Sequence, residues 1–177
     1  MIFKKTKIEG CFIITPKINK DFRGSFTRYF CKKKNKEMGI NFEIKQTNIS
    51  ENKKRGTLRG FHYQSKKLGE KKIINCISGE IYNVVLDMRK TSKTFSQWFS
   101  INLSSFNKKA IIVPAGCANA FLTLKDNTLV YYCMSDFYNS KKSKGIKYDD
   151  SFFSVKWPFV PKVISKKDNS YKSYSFT

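Results

Sequence analysis

The sequence has little of several residue types on which common functional sites depend. Its 177 residues contain a single histidine and five cysteines, and no two cysteines have C-x-x-C spacing. A zinc ribbon or a disulfide framework is therefore not indicated, and one imidazole is too few for a histidine-based metal site. The phosphate-binding motifs G-x-G-x-x-G and G-x-x-x-x-G-K-[S/T] and the G-x-S-x-G nucleophile motif are also missing.

Long apolar runs are missing as well. No stretch approaches the roughly 20 apolar residues that a membrane-spanning helix requires. Residues 1–9 lack the apolar core of a secretory signal peptide. We therefore expect a cytoplasmic protein that does not engage a membrane, with its cysteines reduced and mostly packed inside the fold.

Acidic residues are scarce, since 13 Asp and Glu stand against 35 Lys and Arg, giving a formal net charge of +22. Such a charge attracts polyanions, so a nucleic-acid-binding β-barrel is one alternative. However, nearly all of the excess is lysine, which lacks the rigid bidentate geometry that arginine offers to bases and phosphates. We therefore expect no nucleic acid as partner, although the field would assist a small phosphorylated ligand.

What the sequence does contain is a series of short β-type segments between glycine and proline residues, in a chain that is 40% hydrophobic and 15% aromatic. Ten strands are predicted, over residues 11–15, 25–30, 42–49, 57–64, 72–77, 80–87, 98–103, 110–113, 120–124 and 128–134. Only residues 31–38 look helical, ending at Gly39, a natural helix C-cap. The spacing predicts one all-β domain over residues 1–177, either a β-sandwich or a jelly-roll barrel.

From Lys141 onward, aromatic residues alternate with lysines. Such a segment can stack on single-stranded nucleic acid, but packing of the aromatic rings onto the barrel is the favoured interpretation. The aromatic and proline residues in question are Tyr148, Phe152, Phe153, Trp157, Pro158 and Phe159. Residues 170–177 are expected to fray.

The single histidine, His62, lies in the predicted strand over residues 57–64. Strand alternation would place Arg59, Phe61 and Tyr63 on one face and His62 on the other. A strand histidine is more often a hydrogen-bonded packing residue than a catalyst. Since nucleophile and metal motifs are missing, proton transfer is the chemistry that remains, and His62 is the best candidate base.

Several runs spread over nearly the whole chain are similar to those of one family. They include residues 21–26 (DFRGSF), 46–50 (QTNIS), 58–64 (LRGFHYQ), 79–89 (GEIYNVVLDMR), 112–116 (IVPAG), 156–158 (KWP) and 164–168 (ISKKD). In order and spacing, the sequence resembles the nucleotide-sugar 3,5-epimerases of deoxysugar biosynthesis, typified by dTDP-4-dehydrorhamnose 3,5-epimerase. The resemblance implies a cupin-type jelly roll with a short helix after the first strands and an extended C-terminal segment. It also implies a homodimer and a reaction without metal or cofactor.

The resemblance further implies acid–base chemistry on a nucleotide-diphosphate 4-keto sugar. The hydrogens on C3 and C5 of such a sugar both lie α to the ketone, so removing either gives an enolate with its charge on O4. By resemblance, His62 is the base and Asp168 the carboxylate that orients its ring. Tyr132 matches the proton donor on the opposite face, while Tyr131 points away, and Lys72 matches the lysine near the developing enolate.

The same resemblance assigns substrate-binding positions. Arginine forks suit a diphosphate and an aromatic face suits a nucleotide base. The sugar and diphosphate are expected to contact Arg59, Asn48 and Gln46, and the nucleotide to contact Arg23, Lys167 and the stacking ring of Tyr138.

Three positions depart from the family pattern. Asn119 stands where the family commonly has a histidine, Arg28 where it has a carboxylate, and Ser143 replaces another carboxylate. Asn119 and Arg28 are still expected to contact the substrate, although Asn119 can only hydrogen-bond and cannot carry charge. Two alternatives therefore stay open: an epimerase that inverts only C3 or only C5 of a CDP- or GDP-linked sugar, and a non-catalytic sugar-nucleotide-binding homologue.

Overall fold

Two antiparallel sheets make up most of the structure, a computed structural model that describes residues 1–64 and 69–175. The first sheet contains, in spatial order, β1 (Ile2–Lys5), β2 (Phe12–Thr15), β10 (Ala110–Val113), β7 (Lys72–Ser78), β12 (Thr128–Met134) and β5 (Gln46–Asn52). The second contains β13 (Ser143–Gly145), β6 (Thr57–Gln64), β11 (Cys117–Thr123), β8 (Glu80–Asp87) and β9 (Trp98–Ser104). In addition, β14 (Val163–Ile164) pairs in parallel with β6, and β3 (Ile18–Asp21) forms a hairpin with β4 (Gly24–Thr27).

The predicted all-β jelly-roll architecture is confirmed, and α1 (Lys32–Glu37) confirms the predicted helix. A second helix, α2 (Lys166–Asn169), was not predicted because a single turn carries no hydrophobic period. The strand predicted over residues 42–49 begins only at Gln46, and the two- to four-residue strands β1, β3, β13 and β14 were missed. No helix in the described part of the chain is long and apolar enough to cross a bilayer.

Apolar side chains fill the space between the two sheets. Ile74, Ile111 and Val130 from the first sheet meet Val85 and Leu103 from the second, and all five are at most 3% exposed. A second cluster covers the outer face of the first sheet, and a third covers the outer face of the second. Both sheets are therefore covered by apolar side chains on both faces over much of their area. Polar side chains that point into the space between the sheets are exceptions to this pattern and indicate where the functional site lies.

The C-terminal segment packs on the outer face of the second sheet, as the packing interpretation predicted. Phe153 is 5% exposed there, and Trp157 packs beside it while its indole N–H donates to the Tyr148 carbonyl oxygen at 3.0 Å. Tyr174 packs in the same cluster and its backbone N–H donates to Asp150, while the fraying expected of residues 170–175 stays a prediction. The expectation for residues 176–177 lies outside the described residues.

A bulge in β6 decides which side chains share a face. Asn119 of β11 pairs with His62, and Phe121 pairs with Arg59. Residues 60 and 61 of β6 therefore oppose a single residue of β11. The extra residue brings Arg59 to the same face as His62, so the predicted alternation, with Arg59 opposite His62, is wrong.

Glycine is required at the bulge. Gly60 has φ +116°, and a Cβ there would lie 2.5 Å from the Asn119 carbonyl oxygen and 2.7 Å from Ala120 Cα. Any side chain would collide with the backbone of β11, which is held between β6 and β8 and cannot shift to make room. Phe61 turns to the outer face, where it is 1% exposed and packs in the third cluster.

Asp87, at the end of β8, fastens the following loop to the N-terminal region. Its carboxylate is fully buried and accepts hydrogen bonds from the Arg89 guanidinium, from Ser92 Oγ at 2.7 Å and from Thr94 Oγ1 at 2.6 Å. Arg89 also donates to the Glu9 carbonyl oxygen at 2.8 Å. Burial alone would raise the pKa of Asp87, but the hydrogen bonds from Arg89, Thr94 and Ser92 hold it far below its ordinary value.

Substituting Asp87→Asn should lower the free energy of unfolding at pH 7 by roughly 3 kcal/mol, because Arg89 loses its buried counter-charge. The folded-state pKa of Asp87 is depressed, so its contribution is complete above the ordinary carboxyl pKa of about 3.9 and is lost as the pH falls toward the folded value. Urea unfolding of both proteins at pH 7 and pH 3 measures this. Equal stabilities at pH 7 would contradict the assignment.

Candidate functional site

Two adjoining cavities, of about 320 and 280 Å³, lie along the inner walls of the two sheets. Both are lined by His62, Lys72 and Tyr132. His62 comes from β6 of the second sheet, whereas Lys72 and Tyr132 come from β7 and β12 of the first. The cavities form one cleft, whose Arg59 half also contains Asn119 and whose Tyr138 half also contains the following residues: Gln46, Asn48, Gln64, Glu70, Ser143 and Lys167.

On the second-sheet wall, Asp168 holds His62. The His62 Nε2 lies 2.8 Å from Asp168 Oδ1, and Asp168 Oδ2 accepts the Gly60 backbone N–H at 3.1 Å. Asp168 itself is fixed by α2, where its backbone N–H donates to the N-cap oxygen Ser165 Oγ at 3.0 Å. The predicted dyad is thus brought together by chain segments 106 residues apart.

Asp168 stays ionised in this position. Burial by itself would raise its pKa, but the hydrogen bonds from His62, Gly60 and Ser165 lower it below the ordinary value. An ionised carboxylate can only accept a hydrogen bond, so in the neutral imidazole Nε2–H donates to Asp168 and Nδ1 carries the lone pair. Since the His62 side chain is 38% exposed and lines the cleft, while that of Asp168 is 6% exposed, the ring faces the cleft from a buried support.

The first-sheet wall is an ordered grid of side chains. Two cross-strand rows of β5, β12 and β7 are Asn48–Tyr132–Ile74 and Gln46–Met134–Lys72. Since alternate residues of a strand share a face, both rows point into the cleft. Tyr131 packs with Cys133 on the outer face of this sheet, as predicted.

Tyr132 is in the form that can donate a proton. Burial raises the pKa of its phenol; nearby Arg59 lowers it in part, and Glu70 raises it further. The pKa of Tyr132 therefore lies above the ordinary value for tyrosine, so its hydroxyl is protonated at neutral pH. Tyr132 and His62 therefore face the cleft from opposite sheets, one able to give a proton and the other able to take one.

Arg59 is oriented by a residue that sequence reasoning missed. Its Nε donates to Asn52 Oδ1 at 2.8 Å, and one terminal nitrogen donates to the Glu51 carbonyl oxygen at 3.3 Å. Asn52 is 2% exposed and also donates to the Thr128 carbonyl oxygen at 3.1 Å. A strand asparagine has no distinguishing sequence pattern, so this support was not visible before the fold.

Asn119 lies beside His62 on the neighbouring strand and is 7% exposed. Its amide packs against that of Asn83, which is fully buried, with side-chain atoms 3.0 Å apart. In the orientation that satisfies both ends of the amide, the Asn119 nitrogen donates to the Val84 carbonyl oxygen at 3.1 Å. The two amides are uncharged, so this part of the cleft wall contributes dipoles only.

The structure does not bring every predicted residue to the cleft. Arg23 lies in the β3–β4 turn with its side chain 76% exposed and forms an ion pair with Asp21 at 2.7 Å. Arg28 lines a separate cavity of about 220 Å³ with Lys17 and Lys34. In contrast, Gln46, Asn48, Tyr138, Ser143 and Lys167 all line the Tyr138 half. That any of these residues contacts a substrate stays a prediction.

Glu70 is a further residue that the sequence did not single out. It is 6% exposed, and its carboxylate lies 2.8 Å from Lys72 Nζ. The sequence offered one signal for this contact. Glu70 is one of only 13 acidic residues and lies two positions before Lys72, a spacing that puts both side chains on the same side of an extended backbone.

Tyr171 was also missed. Its ring stands edge-on to the His62 imidazole, with centroids 6.0 Å apart and planes at 76°. Gly145, which pairs with His62 across β13 and β6, makes room for this ring, because a Cβ at that position would lie 2.1 Å from it. An aromatic side chain thus packs beside the imidazole.

A two-sheet β fold in which a His–Asp dyad, a protonated tyrosine and a lysine line one cleft has the groups that an acid–base catalyst of the epimerase type requires. The profile of one family, described as dTDP-4-dehydrorhamnose 3,5-epimerase, matches residues 5–175. The chain belongs to this family, which confirms the resemblance seen in the sequence.

Individual relatives agree with this assignment. The dTDP-4-dehydrorhamnose 3,5-epimerase of Shigella flexneri is 36% identical over 165 residues, 93% of this chain and 91% of the relative. The dTDP-6-deoxy-D-glucose-3,5-epimerase of Legionella pneumophila, solved with dTDP-4-keto-L-rhamnose, is 34% identical with a TM-score of 0.92 and covers 97% of this chain and 92% of its own. A 3′-monoepimerase of Streptomyces bikiniensis, solved with dTDP-quinovose, is 28% identical with a TM-score of 0.89, over 95% and 85% of the two chains.

The contact between Tyr171 and His62 can be tested by NMR, because one histidine gives one set of imidazole signals. Substituting Tyr171→Leu should move the His62 ring-proton resonances, since the aromatic edge is removed, while Tyr171→Phe should leave them nearly unchanged. Gly145→Ala should move them in the same direction as Tyr171→Leu, because the added methyl displaces the ring. Identical spectra for all four proteins would show that the ring does not contact His62.

Proposed function

We propose that the protein inverts C3 and C5 of a dTDP-linked 4-keto-6-deoxy sugar in the synthesis of a deoxysugar. The observation that carries this proposal is the placement of the His62–Asp168 dyad and Tyr132 on opposite walls of one cleft that both line. The names of the relatives supply the substrate class, since this chain shares their fold over nearly its full length. The dyad and the acid supply the chemistry.

In the proposed reaction, His62 Nδ1 removes the proton on the carbon next to the ketone. The electron pair of the broken C–H bond forms the enolate double bond, and negative charge develops on O4. The Lys72 ammonium, 16% exposed at the boundary of the two halves, donates a hydrogen bond to that oxygen. Tyr132 then protonates the carbon from the other face, the ketone re-forms, and the centre is inverted.

The remaining lining residues fit a nucleotide diphosphate. Arg59, with its fork directed by Asn52, supplies a bidentate cation for a phosphate, and Lys167 adds a second charge in the Tyr138 half. Tyr138 is 53% exposed, so its ring is available for stacking on a base. Its backbone N–H is fixed by Gln46 Oε1 at 2.8 Å, which ties the stacking residue to the cleft wall.

A second candidate activity is inversion of a single centre. The uncharged Asn119–Asn83 pair favours it, because this part of the wall offers dipoles but no charge to stabilise two successive enolates. One structural relative carries the name of a 3′-monoepimerase. CDP- or GDP-linked sugars stay alternatives for the nucleotide. A purely sugar-nucleotide-binding role is less well supported, because the acid, the base and the lysine are all in place.

Incubation with dTDP-4-keto-6-deoxyglucose in D₂O should introduce deuterium at C3 and C5, read by mass spectrometry and NMR. If only one centre is inverted, only one of these carbons should be labelled.

His62→Ala should reduce exchange by at least about 10³-fold, because the base is lost. Tyr132→Phe should retain exchange but lose inversion by about 10²-fold, since His62 is 38% exposed and can return a solvent deuteron to the same face. Parallel incubations with CDP- and GDP-linked 4-keto sugars test the nucleotide, and no exchange with any of them would refute the proposal.

We also propose that the protein is a homodimer whose β3–β4 hairpin completes the cleft of its partner. Phe22 is 98% exposed and Phe26 64% exposed on this hairpin, which is unusual for large apolar side chains. Arg23, expected at the nucleotide, lies between them and does not line the cleft of its own chain. In a dimer, the second copy would cover the two exposed phenylalanines, and Arg23 would reach the partner's cleft.

Sedimentation velocity should give twice the monomer mass for the wild type. Substituting both Phe22→Asp and Phe26→Asp should shift the protein to the monomer and raise KM by more than about 10-fold, because the apolar contact and the nucleotide contacts are lost together. Phe106→Asp is the matched control, since Phe106 is 93% exposed in a turn between β9 and β10. A wild-type protein that sediments as a monomer would overturn the proposal.

Two expectations from the sequence complete the proposal. We infer a cytoplasmic location, in agreement with five cysteines that are all free thiols. The reaction is expected to need no metal or cofactor, since proton abstraction next to an existing ketone requires only the base, the acid and the cation described above.

A further inference from the structure

Glu70 is a buried carboxylate in the cleft that the mechanism above does not use. Its side chain is only 2% exposed, and both of its oxygens are engaged. Oε1 lies 2.8 Å from Lys72 Nζ, and Oε2 accepts from Gln64 Nε2 at 2.5 Å. Gln64 is held in turn, because its Oε1 accepts the Asn139 backbone N–H at 3.2 Å. The carboxylate therefore has a fixed position.

These contacts join the two walls of the cleft. Lys72 begins β7 of the first sheet, whereas Gln64 ends β6 of the second, two residues after His62. Since residues two apart on a strand share a face, Gln64 and His62 point the same way. Glu70 thereby ties the Lys72 ammonium to the strand that carries the base.

The pairing leaves Lys72 able to act on the substrate. An ammonium has three N–H donors, and Glu70 occupies one of them. Lys72 lines both halves of the cleft together with His62 and Tyr132, so its remaining donors lie where the sugar ring must sit for proton transfer. A lysine this buried would cost free energy without a counter-charge and would be free to adopt other rotamers.

We propose that Glu70 is a positioning residue for the reaction: its carboxylate fixes the Lys72 ammonium at the boundary of the two halves, aimed at O4 of the substrate. This inference rests on the proposed function. Glu70 contacts no reacting atom, and its charge is the smallest of the three influences on the pKa of Tyr132, so its effect on the rate passes mainly through Lys72.

The test measures solvent-deuterium incorporation and inversion for Glu70→Gln, Lys72→Met and the double variant. Glu70→Gln keeps the shape but loses the charge, so kcat should fall by about 10- to 100-fold with KM changed by less than about 3-fold, since the lysine acts on the developing enolate. In the Lys72→Met background, Glu70→Gln should have almost no further effect on kcat. If the kcat losses of Glu70→Gln and Lys72→Met instead multiply in the double variant, the two residues act independently and the proposal is overturned.

Two further variants separate positioning from a general effect on folding. Glu37→Gln removes the carboxylate of an exposed ion pair of similar length, 2.7 Å from Lys34 on α1, and should leave kcat and KM unchanged. If thermal melting shows that Glu70→Gln is not folded, Gln64→Met provides the same test. This change removes the hydrogen bond that Gln64 donates to Glu70 but leaves every charge in place. Its kcat should fall by about 3- to 10-fold with KM unchanged, and wild-type kcat would overturn the proposal.

The outcome for the wild type keeps the two proposals distinct. A wild-type protein that incorporates no deuterium refutes the proposed function. A wild-type protein that exchanges, together with a folded Glu70→Gln variant of equal kcat, refutes only the role of Glu70.

Discussion

The carboxylate of Asp168 is the group on which the site depends. One oxygen accepts the Gly60 N–H at the β6 bulge, and the other holds the His62 ring. The bulge turns Arg59 to the face of His62, and the same carboxylate satisfies a backbone donor there. The backbone irregularity and the orientation of the His62 ring are therefore stabilised by one side chain, which lies on a four-residue helix with its own Ser165 cap. Removing that carboxylate would disturb strand and ring together.

Much of the fold could be predicted from the sequence because most strands in the two sheets have five or more residues with a clear β pattern. The parts that could not be predicted have too few residues for periodicity, as in α2 and β14, or depend on pairing between strands. The bulge at Gly60 is of the second kind. Alternation within β6 gave the wrong face for Arg59, since the extra residue is defined only against β11.

The site was predictable in a different way. His62 could be singled out by elimination, because the sequence has one histidine and no nucleophile or metal motif. Asp168, Tyr132 and Lys72 carry no local signal and were reached only through the resemblance to a family. Glu70 and Asn52 were reached by neither route, since their roles consist of contacts with Lys72 and Arg59 that exist only in the folded chain. Supporting residues of this kind are defined by geometry rather than by pattern.

The order of the chain has a consequence for when the His62–Asp168 pair can form. His62 leaves the ribosome 106 residues before Asp168, so the pair cannot form until the segment that carries Asp168 has been made and has reached β6. Nascent chains that already hold a folded pair of sheets would therefore contain an imidazole without its carboxylate. The imidazole therefore gains its support only when the segment that carries Asp168 docks on β6.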